Sequence, residues 1–150
     1  MKGIVAFTLL CLVSSGCLAL VHHFTKETRK ENREEFENRE LEGLVPSLSN
    51  SELCLQGLEL YRVEERGYGG KIKLAVVYEN STLSGVRALS HTETPGFADI
   101  LNPESWISNF GQMPLDHIDA VTRATITSKA VIKAIQKVNA DHASGISPCN

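Results

Sequence analysis

The sequence lacks an excess of positive charge, an internal repeat and the length of a large enzyme. Lys and Arg number 15 against 18 Asp and Glu, which gives a formal net charge of -3. Because a nucleic-acid-binding protein needs a clustered positive surface, this balance argues against that class. A chain of 150 residues is also too short for a large multidomain enzyme. We therefore predict a small protein that has no nucleic acid as a partner.

Charge is also absent from Gly3 to Val21, where nineteen successive residues carry none. As a helix rising about 1.5 Å per residue, this segment reaches roughly 28 Å, close to the ~30 Å hydrocarbon core of a bilayer. No A-x-A-like cleavage site follows Leu20, so a removed signal peptide is the less favoured alternative. A lipoprotein is another alternative, because Ser14-Ser15-Gly16-Cys17 resembles a lipidation site. We predict an uncleaved transmembrane anchor at 1–23.

The side of the membrane on which the rest of the chain lies stays open from the residues alone. One basic residue, Lys2, precedes the apolar segment, whereas four follow it between Lys26 and Arg33. This distribution favours a cytoplasmic location by the positive-inside rule. That rule loses force for domains longer than about 60 residues, which cross the membrane largely regardless of charge.

A strongly charged segment follows the anchor. Between Lys26 and Glu42, twelve of seventeen residues are charged, and opposite charges four residues apart, as at Lys30 and Glu34, favour an exposed helix. An apolar helical stripe that could dock on the next domain comes next: Leu41, Leu44, Val45 and Leu48. Ser47–Ser51, preceded by proline, indicates a linker. We predict a charged helical stalk and linker over 24–57.

The remaining residues, 58–150, are enough for one small core. Strand-like runs are present at Leu58–Val63, Lys71–Val77 and Leu83–Leu89, with turns at the glycines of 67–70 and at 79–82. The spacing predicts a twisted antiparallel meander. A helix is predicted at Ser128–Val138, and a shorter helical piece at Ser105–Phe110. Helices beside a mainly antiparallel sheet make the fold class α+β.

Four hydroxyl residues lie close together before and at the start of the helix predicted at Ser128–Val138: Thr122, Thr125, Thr127 and Ser128. The first turn of a helix offers free N–H groups and the positive end of its dipole, so this arrangement suits phosphate binding. Helix capping by Thr127 or Ser128 is the alternative, because one cap needs only one hydroxyl. The cluster alone leaves both interpretations open.

Five blocks of the sequence form an ordered set: Gly67-Tyr68-Gly69-Gly70, Gly85-Val86-Arg87, His91-Thr92-Glu93-Thr94-Pro95-Gly96, Ser105-Trp106-Ile107 and Asp119 to Ser128. In this order they resemble the membrane-anchored FMN-binding subunits of bacterial respiratory complexes. The resemblance is to the G subunits of Rnf electron-transport complexes and, more distantly, to the C subunits of sodium-translocating NADH:quinone reductases. It covers the anchor and nearly all of the predicted soluble part.

The resemblance implies a covalent flavin. In that family, the pattern Asp-x-x-Ser/Thr-Gly-Ala-Thr carries an FMN that a flavin transferase joins, through its phosphate, to the hydroxyl of the last Thr. Matched by position, that residue is Thr125. The other residues that the resemblance places at the flavin are Thr122, Ala124, Thr127, Ser128, His91, Glu93, Thr94, Pro95 and Gly96.

The resemblance also implies partners and a location. The partners would be the other subunits of a complex that couples electron transfer between ferredoxin and NAD to ion movement. The soluble domain would lie on the periplasmic or outer side of the bacterial cytoplasmic membrane. Such a subunit relays electrons and has no stand-alone catalysis, so we predict no catalytic residue. A non-redox scaffold that has lost its flavin and a lipoprotein binding module are the alternatives.

Two positions depart from the family pattern. Arg123 replaces a glycine, and glycine in such a loop usually serves a positive φ or a close approach. Arg123 could instead pair with the phosphate. Only eight residues separate Phe110 from Asp119, where the relatives carry a longer insertion with another strand. We therefore expect a trimmed sheet and a more open pocket.

Other residues suggest alternatives with less support. His91 and Glu93 could be two metal ligands, but two ligands do not make a site, and we predict no metal. Trp106 fits the core slightly better than a stacking role. Cys54 and Cys149 flank the soluble part, and a disulfide between them is possible if that part faces an oxidising compartment.

Overall fold

The computed structural model describes residues 2–46 and 49–149, without the side chain of Lys2. Its elements are helix α1 (Lys2–Glu42), helix α2 (Asn50–Leu55), strands β1 (Leu58–Arg66), β2 (Lys71–Glu79) and β3 (Thr82–His91), and helix α3 (Thr125–Ala143). Three short 3-10 turns lie between β3 and α3, at Ala98–Leu101, Trp106–Asn109 and Leu115–His117. This architecture confirms the predicted α+β class. The chain divides into two compact units, 1–36 and 37–150.

The first unit consists of the larger part of α1. From Gly3 onward this helix is long and apolar enough to cross a membrane, by its length and composition. Its apolar side chains, such as Leu12 and Leu18, are exposed to about 70% of their surface. In the charged part of the helix, Lys30 and Glu34 form the predicted pair one turn apart, with 3.9 Å between Nζ and Oε1.

The second unit is built on the predicted antiparallel meander in the order β1-β2-β3. The glycine turn after β1 closes through a hydrogen bond from the Gly67 N–H to the Gly70 carbonyl. Asn80 and Ser81 form the two-residue turn between β2 and β3, and both have positive φ. Such turns match the right-handed twist of the flanking strands. Each strand extends two or three residues beyond the predicted end.

Both faces of the sheet are buried. On one face, Ile72, Leu74 and Val76 pack with the apolar stripe of α3, as their alternation predicts. On the other face, Ala75 and Val77 form a second cluster with neighbouring strands and helices. The stripe at the end of α1 belongs to this second cluster, through buried Leu41 and Val45 and partly buried Leu44, and its docking is confirmed. Leu48 lies outside the described residues.

The predicted linker is shorter than expected, because Asn50 and Ser51 belong to α2. Ser49 caps this helix in a capping box: its side chain accepts from the Glu52 N–H, and the Glu52 carboxylate accepts from the Ser49 N–H. The Ser-x-x-Glu spacing was a sequence signal that our prediction did not use. Ser47 lies outside the described residues. Cys54, within α2, forms a disulfide with Cys149.

Candidate functional site

The loop before α3 ends in a strained residue. Arg123 has a φ of 74°, in the left-handed region that favours glycine. Arginine therefore adopts here a conformation that glycine adopts without strain, which is one of the two reasons that we gave for a glycine at this position. Helix α3 begins at Thr125, three residues earlier than predicted, and its N-cap Ala124 has no side-chain hydrogen bond. Thr127 and Ser128 therefore lie within the helix, and the alternative interpretation that one of them caps it is wrong.

The hydroxyls of this segment point to different environments. Ser128 is fully buried, donates to the Ala124 carbonyl at 2.9 Å and accepts from the Val121 N–H at 3.0 Å. Thr127 is also buried and donates to Glu93. Thr125 is exposed, with its hydroxyl 3.3 Å from the Val121 carbonyl. Of the hydroxyls in the first turn of α3, that of Thr125 is therefore the one open to a reacting group.

Thr125 lies in a cleft of about 300 Å³, which we call the Thr125 cleft. Its lining residues come from the glycine turn, the segment after β3 and the start of α3: Tyr68, Phe97, Arg123, Ala124, Thr125, Ile126 and Thr127. The rings of Tyr68 and Phe97 meet edge to face. Ile126 leaves more than half of its surface exposed. The cleft thus combines apolar walls, one guanidinium and the first N–H groups of a helix.

Glu93 lies behind this cleft. It is 7% exposed, and its two carboxylate oxygens accept hydrogen bonds from the Gly69 N–H at 3.0 Å and from the Thr127 hydroxyl at 2.6 Å. Glu93 therefore joins the glycine turn to the first turn of α3. His91 ends β3 with an exposed side chain, opposite Ile72 in the sheet.

Trp106 supports the loop from the core side. Its indole N–H donates to the Asp119 carbonyl at 3.0 Å, and its ring packs edge to face against buried Phe110. This packing agrees with the core role that we favoured for the indole. Between Phe110 and Asp119, the described chain forms a 3-10 turn and an isolated bridge to Met113, without a further strand.

Comparison with known proteins shows that residues 67–139 match the FMN-binding domain family. The match places an FMN-binding domain in this part of the chain. The G subunit of an ion-translocating oxidoreductase complex from Vibrio cholerae is 39% identical over 88 residues, which cover 47% of this chain and 42% of that protein. The chain thus spans less than half the length of this relative. The match confirms the resemblance drawn from the sequence blocks.

Two further relatives align over most of the chain. The G subunit of the ion-translocating oxidoreductase complex of Pseudoalteromonas atlantica is 27% identical over 187 residues, covering 91% of this chain and 87% of that protein. The G subunit of the proton-translocating ferredoxin:NAD(+) oxidoreductase complex of Clostridium ljungdahlii is 26% identical over 156 residues, covering 87% and 84%. Both alignments are longer than the 150 residues of this chain, so they contain gaps in it. Within the aligned region, the chain is therefore shorter than these relatives.

Within the FMN-binding domain, the predicted site residues separate into three groups. Those that line the Thr125 cleft are Ala124, Thr125 and Thr127. Those that are buried behind it are Glu93 and Ser128. Those that are exposed and outside its lining are Thr122, His91, Thr94, Pro95 and Gly96. The segment Thr94-Pro95-Gly96 nevertheless leads directly into Phe97, which does line the cleft.

Our sequence reasoning missed the apolar walls of the cleft. Tyr68, Phe97 and Ile126 were not among the predicted site residues, although all three line the cleft. A usable signal was present, because Tyr68 stands between glycines and Phe97 follows Gly96. Aromatic residues in glycine-rich turns have little neighbouring side-chain volume to bury them. Among the described residues, no group of three or more His, Cys, Asp or Glu could hold a metal ion.

Proposed function

We propose that this chain is a membrane-anchored electron-transfer subunit that holds FMN in the Thr125 cleft, joined through its phosphate to the Thr125 hydroxyl. The observation that carries the proposal is an exposed Thr125 at the first position of α3, in a cleft of the FMN-binding domain. The first N–H groups of a helix have no partner within the helix and favour an anion. A phosphodiester on Thr125 would lie beside those groups.

The lining of the cleft fits such a cofactor. Tyr68 and Phe97 offer aromatic surface to a flat ring system, and Ile126 adds an apolar contact. Arg123 lines the same cleft, where its guanidinium can pair with a phosphate. A bound flavin would supply reversible electron exchange. The residues of this chain would position it and limit its contact with water.

Attachment requires an activated donor, because direct condensation of FMN with the Thr125 hydroxyl releases a water molecule and is therefore unfavourable in aqueous solution. The Thr125 oxygen would form the new bond to the FMN phosphorus of a flavin dinucleotide as the pyrophosphate bond breaks. The departing nucleoside monophosphate takes the bonding electron pair, and the hydroxyl proton passes to a base of the flavin transferase. Because no oxidation or reduction accompanies this transfer, the step is balanced without a further co-reactant.

The partners would be the other subunits of a membrane complex that links ferredoxin and NAD to ion movement. Two relatives carry matching names, as subunits of ion-translocating and ferredoxin:NAD(+) oxidoreductase complexes. The long apolar helix α1 supports attachment to the membrane. We propose an uncleaved anchor because the uncharged run continues past Cys17 to Val21, where a mature polar chain would otherwise begin.

We further propose that the second unit lies outside the cytoplasm. The disulfide between Cys54 and Cys149 supports this side, because disulfides persist in oxidising compartments and are rare in the cytosol. When a reporter is fused after Asn150, we expect its activity on the outer side of the membrane. Activity found only in the cytoplasm would reverse the assignment. Peptide mapping should recover the segment before Cys17 in the mature protein. A mature start at or after Cys17 would contradict the anchor.

The test of flavin attachment is mass spectrometry of the full chain produced together with a flavin transferase. Trypsin releases the peptide Ala124–Lys129, which should carry one FMN less a water. Thr125→Ala should abolish this adduct, and Thr122→Ala, an exposed hydroxyl outside the cleft, should retain it. An unmodified wild-type peptide, or an adduct that persists in Thr125→Ala, would favour the flavin-free scaffold.

A further inference from the structure

We propose that Glu93 is a positioning residue that sets the separation between the two walls of the Thr125 cleft. The inference rests on the proposed function only in assigning FMN to that cleft. One carboxylate oxygen accepts from the Gly69 N–H, beside Tyr68, and the other accepts from the Thr127 hydroxyl, two residues after Thr125. Glu93 thus connects the aromatic wall to the helical wall.

The glycine turn is shaped around this carboxylate. A Cβ at Gly67 would overlap Glu93 Oε1, and a Cβ at Gly69 would overlap the Thr92 carbonyl. Thr92 adds a second connection, because its hydroxyl donates to the Gly69 carbonyl at 3.1 Å. The backbone that carries Tyr68 therefore packs directly on Thr92 and Glu93. Its position depends on these contacts, because glycines by themselves leave a turn conformationally free.

The helical wall is held equally closely. Thr127 is 1% exposed, and its hydroxyl lies 2.6 Å from Glu93, which is short for a hydrogen bond between two oxygens. Both oxygens of Glu93 act as acceptors, the pattern of an ionised carboxylate. An amide has one acceptor oxygen, so glutamine at this position can retain the Gly69 contact only by donating to Thr127 with its NH₂ group. The carboxylate is therefore suited to joining two donors.

The first test uses the full-length protein without flavin and measures exchange of the Gly69 amide hydrogen by NMR. Glu93→Ala should accelerate this exchange about tenfold or more, because the amide loses its charged acceptor. Glu104→Ala, which removes an exposed carboxylate from another loop, should leave it unchanged. If Glu93→Ala does not fold, Thr127→Val and Glu93→Gln are measured instead. Exchange that stays at the wild-type rate in every folded Glu93 and Thr127 variant would overturn the proposal.

The second test uses the flavin-loaded protein and measures flavin fluorescence, which a neighbouring phenol quenches. Glu93→Ala should raise the fluorescence severalfold by releasing Tyr68, and the same change in a Tyr68→Leu background should have no effect. Such non-additivity is the signature of a residue that acts through another. An equal rise in both backgrounds would overturn the proposal. A wild-type protein without any flavin would contradict the proposed function, while the exchange measurement would still decide the role of Glu93.

Discussion

The rings of Tyr68 and Phe97 meet edge to face with centroids 6.1 Å apart, at one wall of the cleft that contains Thr125. They leave 64% and 37% of their surface exposed. Large apolar side chains that stay exposed beside a cleft, instead of packing in the core, are typical of a binding surface.

We expect these two rings to contribute to flavin affinity and little to folding. In a Thr125→Ala background, which allows only reversible binding, Tyr68→Ala and Phe97→Ala should each weaken FMN binding by about threefold to tenfold, the magnitude of an aromatic contact. Fluorescence titration of the full chain measures this effect. Leu55→Ala is the matched control, because Leu55 is 88% exposed and lies outside the cleft lining. Equal affinities in all four proteins would contradict the prediction.

Arg123→Gly should stabilise the flavin-free protein. The left-handed conformation costs a non-glycine residue roughly 1 to 2 kcal/mol, and glycine removes this cost. Glycine is also freer in the unfolded chain, which destabilises the folded state and offsets about half of the gain. We expect a net increase of roughly 0.5 to 1 kcal/mol in the free energy of unfolding, measured by urea denaturation. Arg123→Ala removes the guanidinium but keeps the strain, so it should show no such increase. Arg123→Gly should also maintain or raise flavin occupancy, and a loss of stability would contradict the explanation by strain.

Reduction of the disulfide should destabilise the second unit. Cys54 and Cys149 are separated by 95 positions, and closing a loop of this size stabilises a fold by about 2 to 4 kcal/mol. Cys54→Ser should lower the urea midpoint as much as a reductant does, and the reductant should have no further effect on that variant. Cys11→Ser and Cys17→Ser change the free cysteines and should leave the midpoint unchanged. Four free thiols in denatured, unreduced protein would exclude the disulfide.

Stability should fall in acid partly through Glu59. The Tyr61 phenol donates to Glu59 at 2.7 Å, and this bond is the main cause that lowers the pKa of Glu59, against the opposing effect of partial burial. A group with a lowered folded-state pKa contributes stability above its unfolded pKa and loses it as the pH falls through the folded value.

Tyr61→Phe should therefore reduce the free energy of unfolding by about 1 kcal/mol at neutral pH. The difference from wild type should narrow as the pH falls below the ordinary Glu value of 4.5. Urea denaturation across this pH range measures both quantities. Tyr68→Phe removes an exposed phenol elsewhere and serves as the control. A difference that stays constant with pH would show that Glu59 does not mediate it.

Local patterns in the sequence were enough to predict the three strands and helix α3, whereas the short helix α2 was missed. Alternation of apolar residues in Lys71–Val77 predicted a strand, and the helical stripe ending at Val138 predicted α3, because both patterns repeat with the period of the backbone. The start of α3 was predicted less well. Its first turn contains buried Thr127 and Ser128, whose partners are remote or lie in the preceding loop, and hydroxyl residues of this kind are indistinguishable from caps along a single sequence.

The sequence by itself determined the apolar helix, the meander, the last helix and the position of Thr125 in a family motif. Tertiary structure alone decided that Tyr68 and Phe97 face one cleft, that Glu93 lies behind it, and that Arg123 takes the left-handed conformation. The physical reason is that element periodicity arises from neighbours along the chain. The walls of a cleft arise from packing between segments that are distant in sequence, and a single sequence carries no direct record of those contacts.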